Sequence, residues 1–538
     1  MNIKIRHVNL ALSLCLFFLP ACGNATEIQI IQGMTYYVDV SGGNDNNPGT
    51  ATDNAWKTIN KVNTFSFSPG DRILFKRGGI WREKLVIPSS GSSNNPIMFG
   101  DYGSGDLPRL HGGTIISESP VGPDANGVYK FSFSVIYFVI EDNIPVPRAS
   151  NSDCYDGNWF FDGINTLYYK PTSGVPGDHK IERVTRTEIV NINEKNHITM
   201  KNFDLYGSIN CVYGRATSSE LTNISVDNNT IQYCAAGIKF TAKNGNDLNA
   251  IIIRNNRIIN SAESLYLGSE NNGIESIKAS YITNNTIINT GYYYGLIKWN
   301  HFFPSDQEAI GIQNPTGLVI SGNTIYGGVS GITIWGNANT RSMDEIISYN
   351  YIHDMERYGL VVGGEDVGAN TAEIFYNVIA NCGSGEDGGI RLNRPQKTKS
   401  EVFNNTLVGN DVNLYLNAAT DNFSIINNIS MGPINYHVRR NGGIGKNILD
   451  YNNYYSDTVI KFKLDTLDEN FLSWKSKTSQ DAHSLNLDPL FINAGGKNYH
   501  LRANSPVINA GARIPITQDF DGKNVPNGSA PDLGAYEY

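Results

Sequence analysis

The sequence predicts an all-β chain wound as one parallel β-helix solenoid, with an N-terminal cap, a β-rich insertion and a C-terminal capping segment. An asparagine followed two places later by an aliphatic side chain recurs at Asn229-Thr230-Ile231, Asn256-Arg257-Ile258, Asn285-Thr286-Ile287, Asn323-Thr324-Ile325, Asn350-Tyr351-Ile352, Asn377-Val378-Ile379 and Asn405-Thr406-Leu407. Most steps are about 27 residues, and self-similarity at such a period marks units that bury one face only by stacking on a neighbour. The units are too short for two helices and carry β-branched runs such as Ile251-Ile252-Ile253 and Gly331-Ile332-Thr333-Ile334, which favour strands. Stacking places the asparagines at one turn, where each side-chain amide can bond to the next; Asn256, Asn350 and Asn405 on different faces would contradict this fold.

At 538 residues the chain exceeds a usual globular domain, a limit that a solenoid escapes by growing in one dimension. With 54 Gly, 29 Tyr and only 17% charged residues, the composition suits a turn-rich β protein with an aromatic surface. The formal charge of −9 argues against a nucleic-acid partner, which calls for a basic stripe.

Residues 1–22 read as an export signal: Lys4 and Arg6 precede an apolar run from Leu10 to Leu19 that is too short to span a bilayer permanently. The run ends in Leu19-Pro20-Ala21-Cys22-Gly23. This resembles a bacterial lipoprotein box, which implies lipidation at Cys22 and a protein exported to the outer membrane or cell surface; plain periplasmic or secreted release is the alternative. The remaining Cys154, Cys211, Cys234 and Cys382 are too scattered for a disulfide framework or a zinc site. Aligning Leu205 with Ile231 sets Cys211 level with Gly237, three places from Cys234, a diagonal beyond the roughly 7 Å Cα limit for a bridge, so free, buried thiols are expected.

Residues 30–113 form the N-terminal cap and first coils. They contain Tyr36-Tyr37-Val38-Asp39-Val40-Ser41-Gly42-Gly43-Asn44-Asp45, Trp56-Lys57-Thr58-Ile59 and Pro69-Gly70-Asp71-Arg72-Ile73. This pattern resembles the opening segment of secreted right-handed β-helix proteins of the pectate-lyase-like superfamily, which includes polysaccharide lyases and some glycoside hydrolases. The resemblance implies a right-handed helix of coils and a short capping α-helix around Trp56 to Asn63. Residues 114–185 break the period with alternating segments such as Asn158-Trp159-Phe160-Phe161 and Leu167-Tyr168-Tyr169-Lys170, a β-rich insertion in which Trp159 and Tyr168 are expected to pack against the solenoid, with stacking on sugars as the alternative. Coils follow over 186–460. Residues 461–538 close the chain through Asp488-Pro489-Leu490-Phe491 and Pro531-Asp532-Leu533-Gly534, resembling the terminal segment of the same proteins and expected to cover the exposed last coil. Asp519 and Asp521 read as a plain turn.

Alternation points every second side chain of the Gly-Ile strands outward. With Ile238, Leu265, Ile332, Leu360, Ile390 and Leu414 inward, one outward line holds Lys239, Tyr266, Thr333, Val361, Arg391 and Tyr415; a second holds Thr241, Gly268, Trp335, Gly363, Asn393 and Asn417. Aromatic platforms, a cation and amides on one face suit a sugar chain bearing carboxylate or sulfate. Beside this face one coil gains about ten residues, including Lys298-Trp299-Asn300-His301, and long excursions from a regular scaffold often carry function. The cleft is placed there, with Trp299, Trp335, Asn337, Asn393, Arg394 and Tyr415 binding substrate.

Two chemistries fit that cleft. A lyase acting by β-elimination on a uronate polysaccharide, the preferred reading, would use Lys298 or His301 as base, with Arg391 and Arg394 neutralising the carboxylate. Strict alternation from Leu296 turns Lys298 inward, so this role needs a bulge or strand end. A glycoside hydrolase would use two carboxylates among Glu365, Asp366, Glu386 and Asp387. A non-catalytic glycan binder is the third reading. His353-Asp354 reads as a turn cap and Arg439-Arg440 as a solvated pair. No cofactor is required; calcium is the one ion that Glu365 and Asp366 could hold if carbonyls joined them. The expected partner is a polysaccharide, the expected state a monomer, and the only membrane contact the Cys22 lipid.

Overall fold

The asparagine spacing becomes one continuous ladder. The structure is a computed structural model that describes residues 33–538 apart from 271–272, 292–306, 337–342, 364–369, 386–387, 394, 418–419 and 459–460. Side-chain amides link Asn229 to Asn256, Asn256 to Asn285 and Asn285 to Asn323 at 3.0 Å each, and continue through Asn350, Asn377 and Asn405. Asn428 and Asn452, which lie outside the sequence pattern, extend it by two rungs. Each ladder amide also donates to backbone carbonyls, as Asn256 does to Val226 and Arg254. The residue before each rung sits in the left-handed region: Asn228, Asn255, Asn284, Gly322, Tyr349, Tyr376, Asn404, Asn427 and Tyr451. Asparagine and glycine adopt that conformation at least cost, which explains the Asn-Asn and Gly-Asn pairs.

The ladder marks a corner between two of three parallel faces in a solenoid of about 13 turns. The first face runs from Thr35–Val38 through strands such as Leu248–Arg254 and Asp421–Ile426. The second holds short strands following the ladder, such as Arg257–Ile259 and Val378–Ala380. The third stacks Glu263–Ser269, Glu308–Gln313, Ser330–Trp335, Leu360–Val362, Gly388–Leu392, Val412–Leu416 and Tyr436–Arg440. The expected inward line is observed with one additional rung: Ile238, Leu265, Ile310, Ile332, Leu360, Ile390 and Leu414 pair in register. The long coil thus contributes a full strand, Glu308–Gln313.

Cys211 and Cys234 form a disulfide, correcting the expectation of free thiols. The register is as read, with Ser208 opposite Cys234. The chain, however, turns between the second and third faces here, where Gly207 and Tyr233 take positive φ. Both cysteines lie inside that corner, fully buried, with Cα atoms 5.9 Å apart, closer than a straight-strand diagonal. Cys154 and Cys382 are free and buried, as expected.

At the start, Trp56 is buried against Tyr36 and the helix Ile59–Asn63, capped by the Thr58 side chain, covers the core. Residues 113–184 build two antiparallel sheets, whose Phe138, Ile140 and Trp159 pack in one cluster with Tyr206 and Ala262 of the early coils, whereas Tyr168, against expectation, packs on Val128, Ala149 and Cys154 within the insertion.

Only the first part of the segment 461–538 covers the last coil. The last coil is covered by the antiparallel pair Phe462–Leu464 and Leu467–Glu469 and the helix Phe471–Thr478, whose Phe471 and Trp474 join the solenoid core. The ladder ends on buried Asp481, which accepts from Trp474, Ser484, Tyr454 and Asn452. Residues beyond 488 turn back along the solenoid, and Phe491, Tyr499, Leu501 and Leu533 pack on Tyr376, Val378, Phe403 and Ile429. The turn residues of successive rungs hold this strap: Tyr349 donates to the Gln518 carbonyl, Asn404 to Asp532 and Gly534, and Asn427 to Ala512. The bulky Tyr349 and Tyr376 at left-handed positions are therefore explained by what lies on them. His353 and Asp354 bind Lys497 of the strap, and Arg440, expected to be solvated, is buried and donates to the Gly443 and Asn417 carbonyls.

Candidate functional site

The insertion and the strap cover parts of the second face, whereas the middle of the third carries aromatic and ionisable side chains outward. Its rungs begin with a corner at which two consecutive residues point inward, as Ala309 and Ile310 do in the core. Alternation therefore changes phase there, and the residue just before the pair turns outward. Glu263 and Glu308 occupy this position on neighbouring rungs: Glu263 lies two places before Leu265 and Glu308 two before Ile310, which pair directly. Adjacent rungs are about 4.8 Å apart. Alternation extended backwards from Leu265 turns Glu263 inward, so sequence reasoning missed both carboxylates as candidates.

The two glutamates share one environment. Lys239 approaches Glu263 at 3.4 Å and lies 4.9 Å from the centre of the Tyr266 ring. Tyr266 lies back across Gly268, where a Cβ would come within 2.4 Å of its hydroxyl, and donates at 3.2 Å to Gln313. Burial, reinforced by the charges of Glu263, Glu308 and Glu270, pushes the Tyr266 phenol far above its usual pKa, so it is a neutral donor. Trp335 stands 6.0 Å from the Tyr266 ring centre, tilted by 42°. Between them Gly311 leaves a gap: a Cβ there would lie 3.5 Å from the Glu308 carboxylate, 3.5 Å from Tyr266 and 3.6 Å from Trp335. Two carboxylates, a hydroxyl, a primary amide and two rings thus meet on three rungs, a composition typical of saccharide sites.

Of the sequence candidates, Arg391, Asn393, Trp335 and Tyr415 are described, and they share the predicted face. Arg391 is sandwiched between the rings of Tyr358 and Tyr415, at 5.1 and 5.0 Å, and donates to Asn393 at 2.8 Å and to the Tyr358 hydroxyl. Arg439 stacks on the other side of Tyr415 at 4.7 Å. The guanidinium is thus part of a cation-aromatic column, two rungs from Ser330–Trp335. Lys298, Trp299, His301, Asn337, Glu365, Asp366, Glu386, Asp387, Arg394 and Cys22 lie outside the described residues.

Among the described residues, Glu141, Asp142 and His179 are close enough to share a metal ion. Their atoms already have partners: His179 bonds Asp142 at 2.7 Å and the Ser173 carbonyl at 2.7 Å, while Glu141 accepts from Tyr169 and Thr172. This is a clasp within the insertion. Asp519 accepts backbone N–H groups of Asp521, Lys523 and Glu537, a turn as expected.

No protein-family model matches the chain. A curated relative, lacto-N-biosidase of Bifidobacterium longum subsp. longum, is 28% identical over 199 residues, covering 34% of this chain and 12% of that enzyme's length. Among solved structures, XylC in complex with xylose aligns over 94% of this chain and 98% of its own, with a TM-score of 0.56 and 13% identity. Pectate lyase Pel9A aligns over 95% and 97%, with a TM-score of 0.45 and 13% identity. At this identity the XylC likeness is one of fold.

Proposed function

We propose that this chain degrades glycans by hydrolysing a glycosidic bond, with Glu263 and Glu308 as the reacting carboxylates. The observation that carries this reading is their placement on successive rungs of one face. A rung spacing of about 4.8 Å suits the roughly 5–5.5 Å that a retaining mechanism asks of its carboxyl pair. Glu263, beside the Lys239 ammonium, takes the role of nucleophile, and Glu308 that of proton donor to the leaving oxygen and then base towards water. Tyr266 and Trp335 provide the platform for the sugar ring. The relationship to a lacto-N-biosidase supports a carbohydrate substrate and favours hydrolysis over the β-elimination preferred from sequence. The column that holds Arg391 adds to that preference, because its stacking and hydrogen bonds already engage the cation that a lyase would turn to the uronate.

Export follows from the same reading. A disulfide persists in oxidising compartments, and the Cys211–Cys234 bridge supports the exported location that the leader implies, with Cys22 as its lipid anchor.

The test incubates the full chain with xylo-oligosaccharides, lacto-N-tetraose, polygalacturonate and alginate, following new reducing ends and the ultraviolet absorbance of unsaturated uronate. Reducing ends without absorbance are expected from at least one glycan. Glu308→Gln and Glu263→Gln should each lower kcat by about 10²–10⁴, with smaller losses on changing Glu365, Asp366, Glu386 or Asp387 to their amides. Absorbance from a uronate polymer would replace hydrolysis by elimination, and a collapse of activity in Asp366→Asn or Asp387→Asn with Glu263→Gln active would move the reaction off this pair.

A further inference from the structure

Gly268 lies inside the strand Glu263–Ser269, where glycine weakens a β-strand and calls for a reason. Its φ is not positive, so the backbone conformation does not supply one. A side chain does. The three atoms nearest to an added Cβ all belong to Tyr266: the hydroxyl oxygen at 2.4 Å, the ring carbon that bears it at 2.6 Å and the adjacent ring carbon at 3.0 Å. Carbon atoms rest against one another at about 3.5–4.0 Å, so any larger residue at 268 displaces the tyrosine ring. On the preceding rung the position is filled by Thr241, the partner of Gly268. On the following rung it is filled by Gln313, one place after the pair Leu267 and Ile312.

Tyr266 and Gly268 are two places apart on one strand and point to the same face. With glycine at 268 the tyrosine leans along its own strand. Its hydroxyl then reaches the side-chain oxygen of buried Gln313 at 3.2 Å, an oxygen that also accepts the Ser269 N–H at 3.1 Å. We propose that Gly268 is a positioning residue, which seats the Tyr266 ring in the pose that makes it a platform for the sugar between Lys239 and Trp335. The inference rests on the platform role given to Tyr266 above and adds the residue that holds the ring there. The fold should accept a methyl at 268, because the atoms in its way are the far end of a rotatable side chain and not backbone. A lost stacking contact corresponds to about a three- to tenfold drop in affinity.

The test reads binding, by ligand-observed NMR titration of the full chain with D-xylose, D-galactose, N-acetylglucosamine and D-galacturonate, none of which has a glycosidic bond to cleave. The wild type should bind at least one of them. For that sugar Gly268→Ala and Tyr266→Ala should each weaken binding by about three- to tenfold, and the double variant no further than either alone, because without the ring the new methyl displaces nothing. A glycine needed only for the strand would give the same loss in both backgrounds. Melting temperatures of the wild type and Gly268→Ala should agree closely, and a fall that the double variant reverses would be the clash with the ring itself. Wild-type affinity in Gly268→Ala, losses that add in the double variant, a fall in melting temperature that persists there, or a wild type that binds none of the four sugars overturns the proposal. Because turnover is not read, the positioning role would stand even if Glu308→Gln proved fully active, and hydrolysis could be established while Gly268→Ala bound sugar as the wild type does.

Discussion

Asn350→Ala tests how much the ladder contributes to stability. Asn350 is fully buried, and its side-chain oxygen accepts both the backbone N–H of Asn323 at 3.0 Å and the Asn323 amide at 2.9 Å, while its own amide donates to the Ile320 carbonyl at 3.0 Å and to Asn377 at 2.9 Å. The substitution removes four bonds with unequal consequences. The Asn323 amide retains the Ile282 carbonyl, and the Asn377 oxygen still accepts from the Asn350 backbone. The Asn323 N–H loses its partner in the dry interior. An orphaned buried donor costs about 1–3 kcal/mol, and the three partly compensated bonds about 0.5–1 kcal/mol each, so the rung should weaken by roughly 2.5–6 kcal/mol. In a solenoid such a penalty is confined to neighbouring repeats. Hydrogen exchange followed by mass spectrometry should therefore show protection around Asn323 falling by about two to four orders of magnitude, with the strand Ile97–Tyr102 unchanged. Asn350→Asp should be at least as damaging near neutral pH, since its second oxygen meets acceptors, and should recover on acidification as it gains a proton. Protection at Asn323 equal to the wild type would refute the ladder as a source of stability.

Three further outcomes follow. His437 is buried with its Nδ1 against Ser430 at 2.7 Å, and burial lowers its pKa to about 3; its contribution is complete above the unfolded value near 6.5 and is lost as pH falls towards 3, so urea titrations should show about 2 kcal/mol less stability at about pH 5 than at pH 6.5, a slope that His437→Gln removes. Cys211→Ser opens a loop of 23 residues and should cost about 3 kcal/mol in non-reducing unfolding, with the wild type falling to the same level under reductant and Cys154→Ser showing no such effect. Cys22→Ala should shift the protein from the membrane to the soluble fraction and abolish palmitate labelling, and unchanged fractionation and labelling would rule out the lipid anchor.

The fold was legible because its signals repeat. A buried amide that must bond to its counterpart on the next rung fixes one residue type at one turn, so Asn229 to Asn405 stood out over seven coils. The pattern faded at Asn428 and Asn452 because Ser430 and Tyr454 stand where the other repeats place an aliphatic residue, and because the coils there shorten, to 23 residues from Asn405 and then 24. Period-two alternation likewise gave the inward line from Ile238 to Leu414, since a slip of one residue would expose every aliphatic side chain. The insertion and the strap show no repeat. Their docking was visible only indirectly, in tyrosines at left-handed positions where the other turns use asparagine or glycine.

The site was half legible for a physical reason. Residues after the corner, such as Tyr266, Trp335, Arg391 and Tyr415, obey the alternation and were placed correctly on the outer face. Glu263 and Glu308 precede it, and there the doubled inward pair reverses the parity. The corner nevertheless leaves a mark on the sequence. Its first inward residue packs under the next rung, so an added Cβ would meet the Ser264 carbonyl at 2.5 Å from Gly237, the Gly359 carbonyl at 2.3 Å from Gly331 and the Asn413 carbonyl at 2.5 Å from Gly389. Space at this position favours small residues, giving Gly237-Ile238, Ser264-Leu265, Ala309-Ile310, Gly331-Ile332, Gly359-Leu360 and Gly389-Ile390. A small residue before the first inward aliphatic therefore signals a reversal, and the residue before it faces outward. Applied along the third face, that rule brings Glu263, Glu308, Ser330 and Tyr358 into one line. The two adjacent carboxylates of that line stand beside Tyr266, whose rung is one of the two that carry them.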